Sequence, residues 1–247
     1  MDYGITGRVA IVSGGSRGIG RAIAHTLAAE GASVVIAART QSHLDDAAAE
    51  LEAIAPGRVA AVAADMTDPS DVDRVARSAR ERFGPISIAV SNVIGHVIDA
   101  DAEGEGPGAG TFTSMPAAEY AREFQHLFVS AWALAHACIP DMREARWGRI
   151  CNIGSGVARE PTTELPHVLP NAVRPAVAGL YRIMAARLRD DGITVNNILT
   201  GSILTERNLS YWRWLAEERD STFEEVTAGF HGRIPLRRQG KPEEMAA

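Results

Sequence analysis

Val9-Ala-Ile-Val-Ser-Gly-Gly-Ser-Arg-Gly-Ile-Gly20 is the stretch on which the reading of this chain turns. Val9–Val12 is a short, non-alternating apolar run, the pattern of a strand covered on both faces. Gly14, Gly18 and Gly20 follow in a G-x-x-x-G-x-G spacing. The next segment, Arg21–Glu30, has helical periodicity and ends at Gly31, a good C-terminal cap. Glycines between a strand and a helix permit a tight turn and let the backbone approach a pyrophosphate. The free N–H groups of a helix beginning near Ile19 then point at that anion. The turn therefore predicts a dinucleotide site made by Gly14, Ser16, Arg17, Gly18, Ile19 and Gly20.

Outward from this turn, Ser33–Ala38, Val59–Ala63, Ile86–Val90, Ile150–Ile153 and Thr194–Leu199 read as further buried strands. Helical patterns lie between them: His43–Ala55, Pro69–Phe83, Glu119–Arg143 and Ala176–Arg189. Alternation of this kind predicts a single α/β domain over residues 1–247, a Rossmann-type doubly wound parallel sheet. Asp99–Gly110 is acidic and Gly-rich and reads as a surface loop. The aromatic segment at 206–230 reads as a helical insertion.

The second strand ends Ala37-Ala38-Arg39, with no acid to hold ribose hydroxyls as an NAD site prefers. Arg39 and Arg17 are instead suited to a 2′-phosphate, so the expected cofactor is NADP(H). Asp65, followed by Met66 after the third strand, is placed to accept a hydrogen bond from an adenine amino group; capping the next helix is its other reading.

The formal net charge of −6 comes without a dense basic patch, which argues against nucleic acid as a partner. The N-terminus has no long apolar run and no stretch approaches a membrane span, so the expectation is a cytoplasmic protein without signal peptide or membrane contact. Cys138 and Cys151 sit in apolar contexts without metal-ligand spacing and read as buried small hydrophobes.

In order, these features resemble the short-chain dehydrogenase/reductase family, especially its β-ketoacyl-acyl-carrier-protein reductase-like members, from Gly7 to the last residue. Ser13–Gly20 stands at the family's T-G-x-x-x-G-I-G, and Asp65 at its adenine-contacting Asp. Asn92 is kept within a loose N-N-A-G. Gly148–Ser155 resembles the strand ending in the catalytic Ser, and Thr200–Thr205 resembles P-G-x-x-x-T, whose final Thr contacts the nicotinamide amide. Ile234–Arg237 and Pro242–Ala246 resemble the C-terminal segment. The family's next helix and last strand do not follow, which raises the question whether the chain ends at Ala247.

The resemblance implies a catalytic Asn, Ser, Tyr and Lys. Alignment puts Leu127 at the Asn, Pro170 at the Tyr and Arg174 at the Lys, and keeps only Ser155. Asn171-Ala-Val-Arg174 looks like an atypical branch with an incomplete tetrad. Ser155 remains to hydrogen-bond a carbonyl. Pro170 has no proton to give, and Arg174 stays charged and is a poor acid, although it suits ribose hydroxyls or a substrate carboxylate. Candidate groups for the altered proton relay are His167, which titrates in the right range, Asn171, and a bound water. Tyr181 lies two helical turns, about 10 Å, beyond Arg174 and is too deep. Because a residue before proline avoids helical angles, the long helix is expected to start near Pro175, leaving Arg174 at its mouth.

The expected function is an NADP(H)-dependent oxidoreductase acting on a carbonyl or alcohol, acyl or aromatic in character. A silent nucleotide-binding subunit and a non-redox enzyme on the same scaffold are the alternatives. Trp212 and Trp214 point to different helix faces and suit either a substrate lid or a subunit contact. The resemblance also implies a homodimer or homotetramer built on the two longest helices.

Overall fold

β1, Val9–Ser13, is buried at all five positions, and its alternate residues serve two separate cores. Val9 and Ile11 pack into one apolar cluster, Ala10 and Val12 into the other. β2, Ser33–Ala38, divides in the same way, Val35 and Ala37 to the first core and Val34 and Ile36 to the second. A strand whose two faces are both apolar needs helices on both sides of its sheet. The computed structural model describes residues 3–93, 95, 115–161 and 168–247. The predicted loop at Asp99–Gly110 and the candidate His167 lie outside the described residues.

Six parallel strands are described: β1, β2, β3 (Val59–Ala63), β4 (Ile86–Ser91), β5 (Gly148–Ile153) and β6 (Ile193–Ile198), in the order β3-β2-β1-β4-β5-β6. This is the doubly wound order, and strand succession reverses between β1 and β4, where such sheets bind ligands. α1 (Gly18–Ala29) and α2 (Gln41–Ile54) contribute to one core. α3 (Pro69–Phe83), α5 (Ser130–Glu144) and α6 (Val168–Leu188) contribute to the other.

α3 has the predicted bounds because its ends are chemically marked. Asp68 accepts a hydrogen bond from the Ser70 N–H at 2.8 Å, Pro69 opens the helix, and Gly84 ends it at φ 94°. The predicted single helix over Glu119–Arg143 is in fact three pieces. α4 (Ala117–Phe124) runs into a π-turn at Gln125–Val129 and then into α5.

α6 corrects the expectation that a helix starts near Pro175. It begins at Val168 and runs through Pro175, so Arg174 lies inside the helix rather than at its mouth. An interior proline costs about 3 kcal/mol. Against this, Leu169, Val173, Val177 and Tyr181, at i, i+4 spacing, are all 5% exposed or less. Each such buried side chain contributes roughly 1.5–3 kcal/mol, so packing outweighs the local preference. Pro170, in the first turn, costs little because no intrahelical partner awaits its nitrogen.

Beyond β6, α7 (Glu206–Glu218) and α8 (Phe223–His231) pack together, and α9 (Pro242–Ala246) lies against α1. Among the described residues no helix is long and apolar enough to cross a membrane.

Candidate active site

The glycine turn is held from the opposite strand. The Asn92 N–H donates to Ser13 Oγ at 2.9 Å, Ser13 Oγ donates to the Val90 carbonyl at 3.3 Å, and Asn92 Nδ2 donates to the Gly14 carbonyl at 3.3 Å. Gly14 and Gly18 have positive φ, 63° and 54°. A Cβ on Gly20 would overlap the Gly14 carbonyl and approach Asn92 Nδ2 at 2.6 Å. Glycine at these positions is a steric requirement of the turn. α1 starts at Gly18 with no side chain capping its N-terminus, so its first N–H groups are suited to a phosphate. This cradle fits the pyrophosphate of a dinucleotide.

Around the turn, Ser16 is buried and Ile19 packs against the α1–α2 core. Arg17 and Arg39 are exposed, at the glycine turn and just beyond β2. Arg17 meets Glu206 in the first turn of α7 at 3.5 Å. Asp65 is exposed, and its Oδ1 accepts from the Thr67 N–H (3.0 Å) and hydroxyl (2.8 Å). The capping role belongs to Asp68. Met66 has its side chain in the core. Thr205 caps α7, accepting from the Asn208 N–H at 3.3 Å, and its methyl would lie 3.3 Å from a Cβ on Gly18. The α7 entry is thus pressed against the glycine turn.

The ends of β4 and β5, together with β6, the π-turn and α6, enclose a cavity with room for about one water. Ser91, Asn152, Asn197 and Arg174 supply its polar wall, and Leu127, Val93 and Val177 its apolar wall. The sequence positions aligned with the family's Asn and Lys, Leu127 and Arg174, therefore line one cavity although 47 residues separate them. Asn152 Nδ2 donates to Asn197 Oδ1 at 2.7 Å, tying β5 to β6 beneath Gly154. Ser155 follows at the edge, half-buried, and opens a 3-10 turn at Gly156–Ala158. Pro170 is buried and Asn171 half-buried in the first turns of α6.

Burial lowers the Arg174 pKa, and the charge of Glu123 acts in the opposite direction. Burial pushes the Tyr181 phenol well up from its ordinary range. Burial likewise raises the Cys138 thiol to about 12 and the Cys151 thiol to about 11. Trp212 is buried against Phe230, ring centroids 4.9 Å apart, in the seam between α7 and α8. The partly buried Trp214 is tilted against Tyr211, ring centroids 5.9 Å apart, so both tryptophans make aromatic contacts within α7 and α8. Among the described residues no group of three or more His, Cys, Asp or Glu side chains is arranged to hold a metal.

One participant escapes the sequence reading: Ser13 stands where the family has Thr, and its hydroxyl is the anchor of Asn92, which no pattern within β1 signals. The complete burial of Glu123, four residues before Leu127, is likewise unmarked by its neighbours.

Residues 8–216 match the family of short chain dehydrogenases. An uncharacterized oxidoreductase of Mycobacterium tuberculosis is 33% identical over 97% of this chain and 82% of its own length. The 3-oxoacyl-[acyl-carrier-protein] reductase of Vibrio cholerae is 29% identical over 98% of this chain and 88% of its own. The structure of L-sorbose reductase from Gluconobacter frateurii, complexed with NADPH and L-sorbose, superimposes with a TM-score of 0.88 at 31% identity, covering 100% of this chain and 89% of that one.

Proposed function

The chain belongs to the short-chain dehydrogenase family of oxidoreductases, and from that premise we propose that it interconverts a carbonyl compound and an alcohol using NADP(H), with an altered proton relay. The observation that carries this reading is the uncapped start of α1, flanked by Arg17 and, past β2, by Arg39, with no acid at the end of β2. A similar solved structure holds NADPH, which supports the same choice.

The glycine turn would hold the pyrophosphate, and Arg17 and Arg39 the 2′-phosphate. Asp65 would accept from the adenine amino group, and Thr205 would contact the nicotinamide amide. When bound, the cofactor supplies or accepts the hydride. Ser155 would donate a hydrogen bond to the substrate oxygen, and Arg174 would stabilise negative charge there without giving up its own proton. Pro170 carries no proton, so the oxygen would be protonated by water held near Asn171, or by His167. The α7–α8 pair, entered at Thr205 against the glycine turn, suits a cover over the substrate. Phe124, Phe128, Trp132 and His136 lie at i, i+4 spacing along α4, the π-turn and α5, with Phe124 40% and Trp132 41% exposed; Ile183 on α6 is 64% exposed. These faces support a homodimer built on α4, α5 and α6.

The test is isothermal titration of NADPH and NADH, followed by nicotinamide absorbance with ketones, ketoses and 3-oxoacyl thioesters. Tighter NADH binding overturns the cofactor assignment. Cofactor binding without turnover overturns the redox reading in favour of a nucleotide-binding subunit, the reading that Leu127 and Pro170 in the tetrad positions favour.

A further inference from the structure

Arg17 and Glu206 lie 189 residues apart in the chain and meet at the glycine turn, where Arg17 Nη1 donates to a Glu206 carboxylate oxygen at 3.5 Å. Arg17 is the cap position of α1, and Glu206 is the first residue of α7, directly after its cap Thr205. The two ends of this pair differ in freedom. The approach to α7 is pinned: the buried Gln239 donates through Nε2 to Ser202 Oγ at 2.6 Å, and the Leu204 N–H donates to the Gly240 carbonyl at 2.7 Å. Thr205 Oγ1 accepts from the Asn208 N–H, and its methyl faces Gly18. The backbone of Glu206 is therefore fixed beside the glycine turn. Arg17 is a long side chain, 56% exposed, and meets the acid through Nη1.

A cofactor phosphate and this carboxylate ask for the same guanidinium. Bidentate contact with a phosphate takes two N–H groups of the planar fork, and turning that fork to the phosphate takes Nη1 from Glu206. The carboxylate is then left near a group of its own charge. We propose that Glu206 is a specificity-determining residue, which competes with the 2′-phosphate of NADP(H) for Arg17 and so narrows the preference for NADP(H) over NAD(H). The Glu206 side chain is 77% exposed, so the competition tunes the preference rather than setting it. Glu206 acts through Arg17 and touches no reacting atom. This deepens the cofactor reading and rests on it for the role of Arg17. An acid in the first turn also stabilises its helix, but that effect is read in Tm and does not distinguish the two cofactors.

The experiment uses the full chain in four versions: wild type, Glu206→Gln, Arg17→Leu and the double variant. Each is titrated calorimetrically with NADPH and with NADH. Glu206→Gln binds NADPH about threefold to fivefold more tightly than wild type, the whole worth of an exposed ion pair, and binds NADH as before. In the Arg17→Leu background the same substitution changes neither constant. The gain shrinks at about 1 M salt, where charges are screened beyond about 3 Å.

No gain for NADPH, an equal gain for NADH, a gain that persists in the Arg17→Leu background, or one indifferent to salt each overturn the proposal. A lower Tm for Glu206→Gln with unaltered cofactor constants assigns the residue to the end of α7 alone and overturns it too. A wild type that binds NADH more tightly than NADPH overturns the cofactor assignment instead. The ratio of the wild-type and Glu206→Gln constants for NADPH then still decides the competition. Binding of neither cofactor by any version overturns both.

Discussion

Asn92 is tied to Ser13 across the point where the strand order reverses. Its N–H reaches Ser13 Oγ at 2.9 Å, while its side-chain amide reaches the carbonyl of Gly14 at 3.3 Å. One residue at the end of β4 thus fixes the turn at the end of β1. Asn92→Ala removes the side-chain bond, worth about 1 kcal/mol. The expected outcome is a roughly fivefold to tenfold rise in the NADPH dissociation constant, read by fluorescence titration, with the fold retained. An unchanged constant would show that the turn keeps its shape unaided.

Arg39 and Arg17 test the cofactor assignment. Arg17 faces Glu206 at 3.5 Å, with side chains 56% and 77% exposed, a pair too solvated to hold the guanidinium against a phosphate. Arg39→Ala is expected to weaken NADPH binding by about 10- to 100-fold, the equivalent of a lost charged hydrogen bond, and to leave NADH binding nearly as it was. Calorimetry with both cofactors checks this. Equal weakening of both would refute a 2′-phosphate contact.

Asp141 joins three elements. Arg80 Nε of α3 donates to both its oxygens, at 3.1 and 2.8 Å, and the N–H of Ile86 at the start of β4 donates to Oδ2 at 2.8 Å. Its side chain is 15% exposed and that of Arg80 37%, so solvent screens part of the attraction. Asp141→Ala is expected to cost roughly 2 kcal/mol, lowering Tm by about 4–8 °C for a chain of this size. Asp190→Ala, in an exposed pair with Arg189 at 3.6 Å, should change stability by less than about 0.5 kcal/mol. Calorimetric scans of both variants distinguish the two cases.

Burial raises the Cys138 thiol to about 12 and the Cys151 thiol to about 11 from an ordinary 9.0. A raised folded-state value means that the stability gained by burying the neutral thiols is complete below pH 9 and is lost as pH rises toward 11 and beyond. Native protein at pH 8 should therefore react with an aromatic disulfide reagent far more slowly than urea-unfolded protein. The urea midpoint of Cys151→Ser, where the thiol is gone, should fall less steeply above pH 9 than that of the wild type. Fast reaction of both thiols in the native state would refute their burial.

Local chemistry explains which elements were legible. β2, β3 and α3 have the bounds their sequences imply, because runs of Val and Ala mark the strands and Asp68-Pro69 and Gly84 mark the helix ends. α6 was misread at its start. Pro175 carries a strong local preference, but the force that overrides it is burial against β6, α4 and the π-turn, which no window of sequence contains. The π-turn at Gln125–Val129 was invisible for a similar reason, since it widens a helix without changing its apolar residues.

Neighbours along the chain were enough to mark the strands, the glycine turn and the ends of α3, and with them the doubly wound sheet, because apolar runs, glycine spacing and helix caps are local patterns. Packing between distant segments was needed to bring Leu127 and Arg174 to one cavity, to hold Arg174 inside a helix that begins at Val168, and to anchor Asn92 on Ser13. Those relationships depend on distances between residues far apart in the chain. Such distances are fixed only when the two cores pack and exclude water.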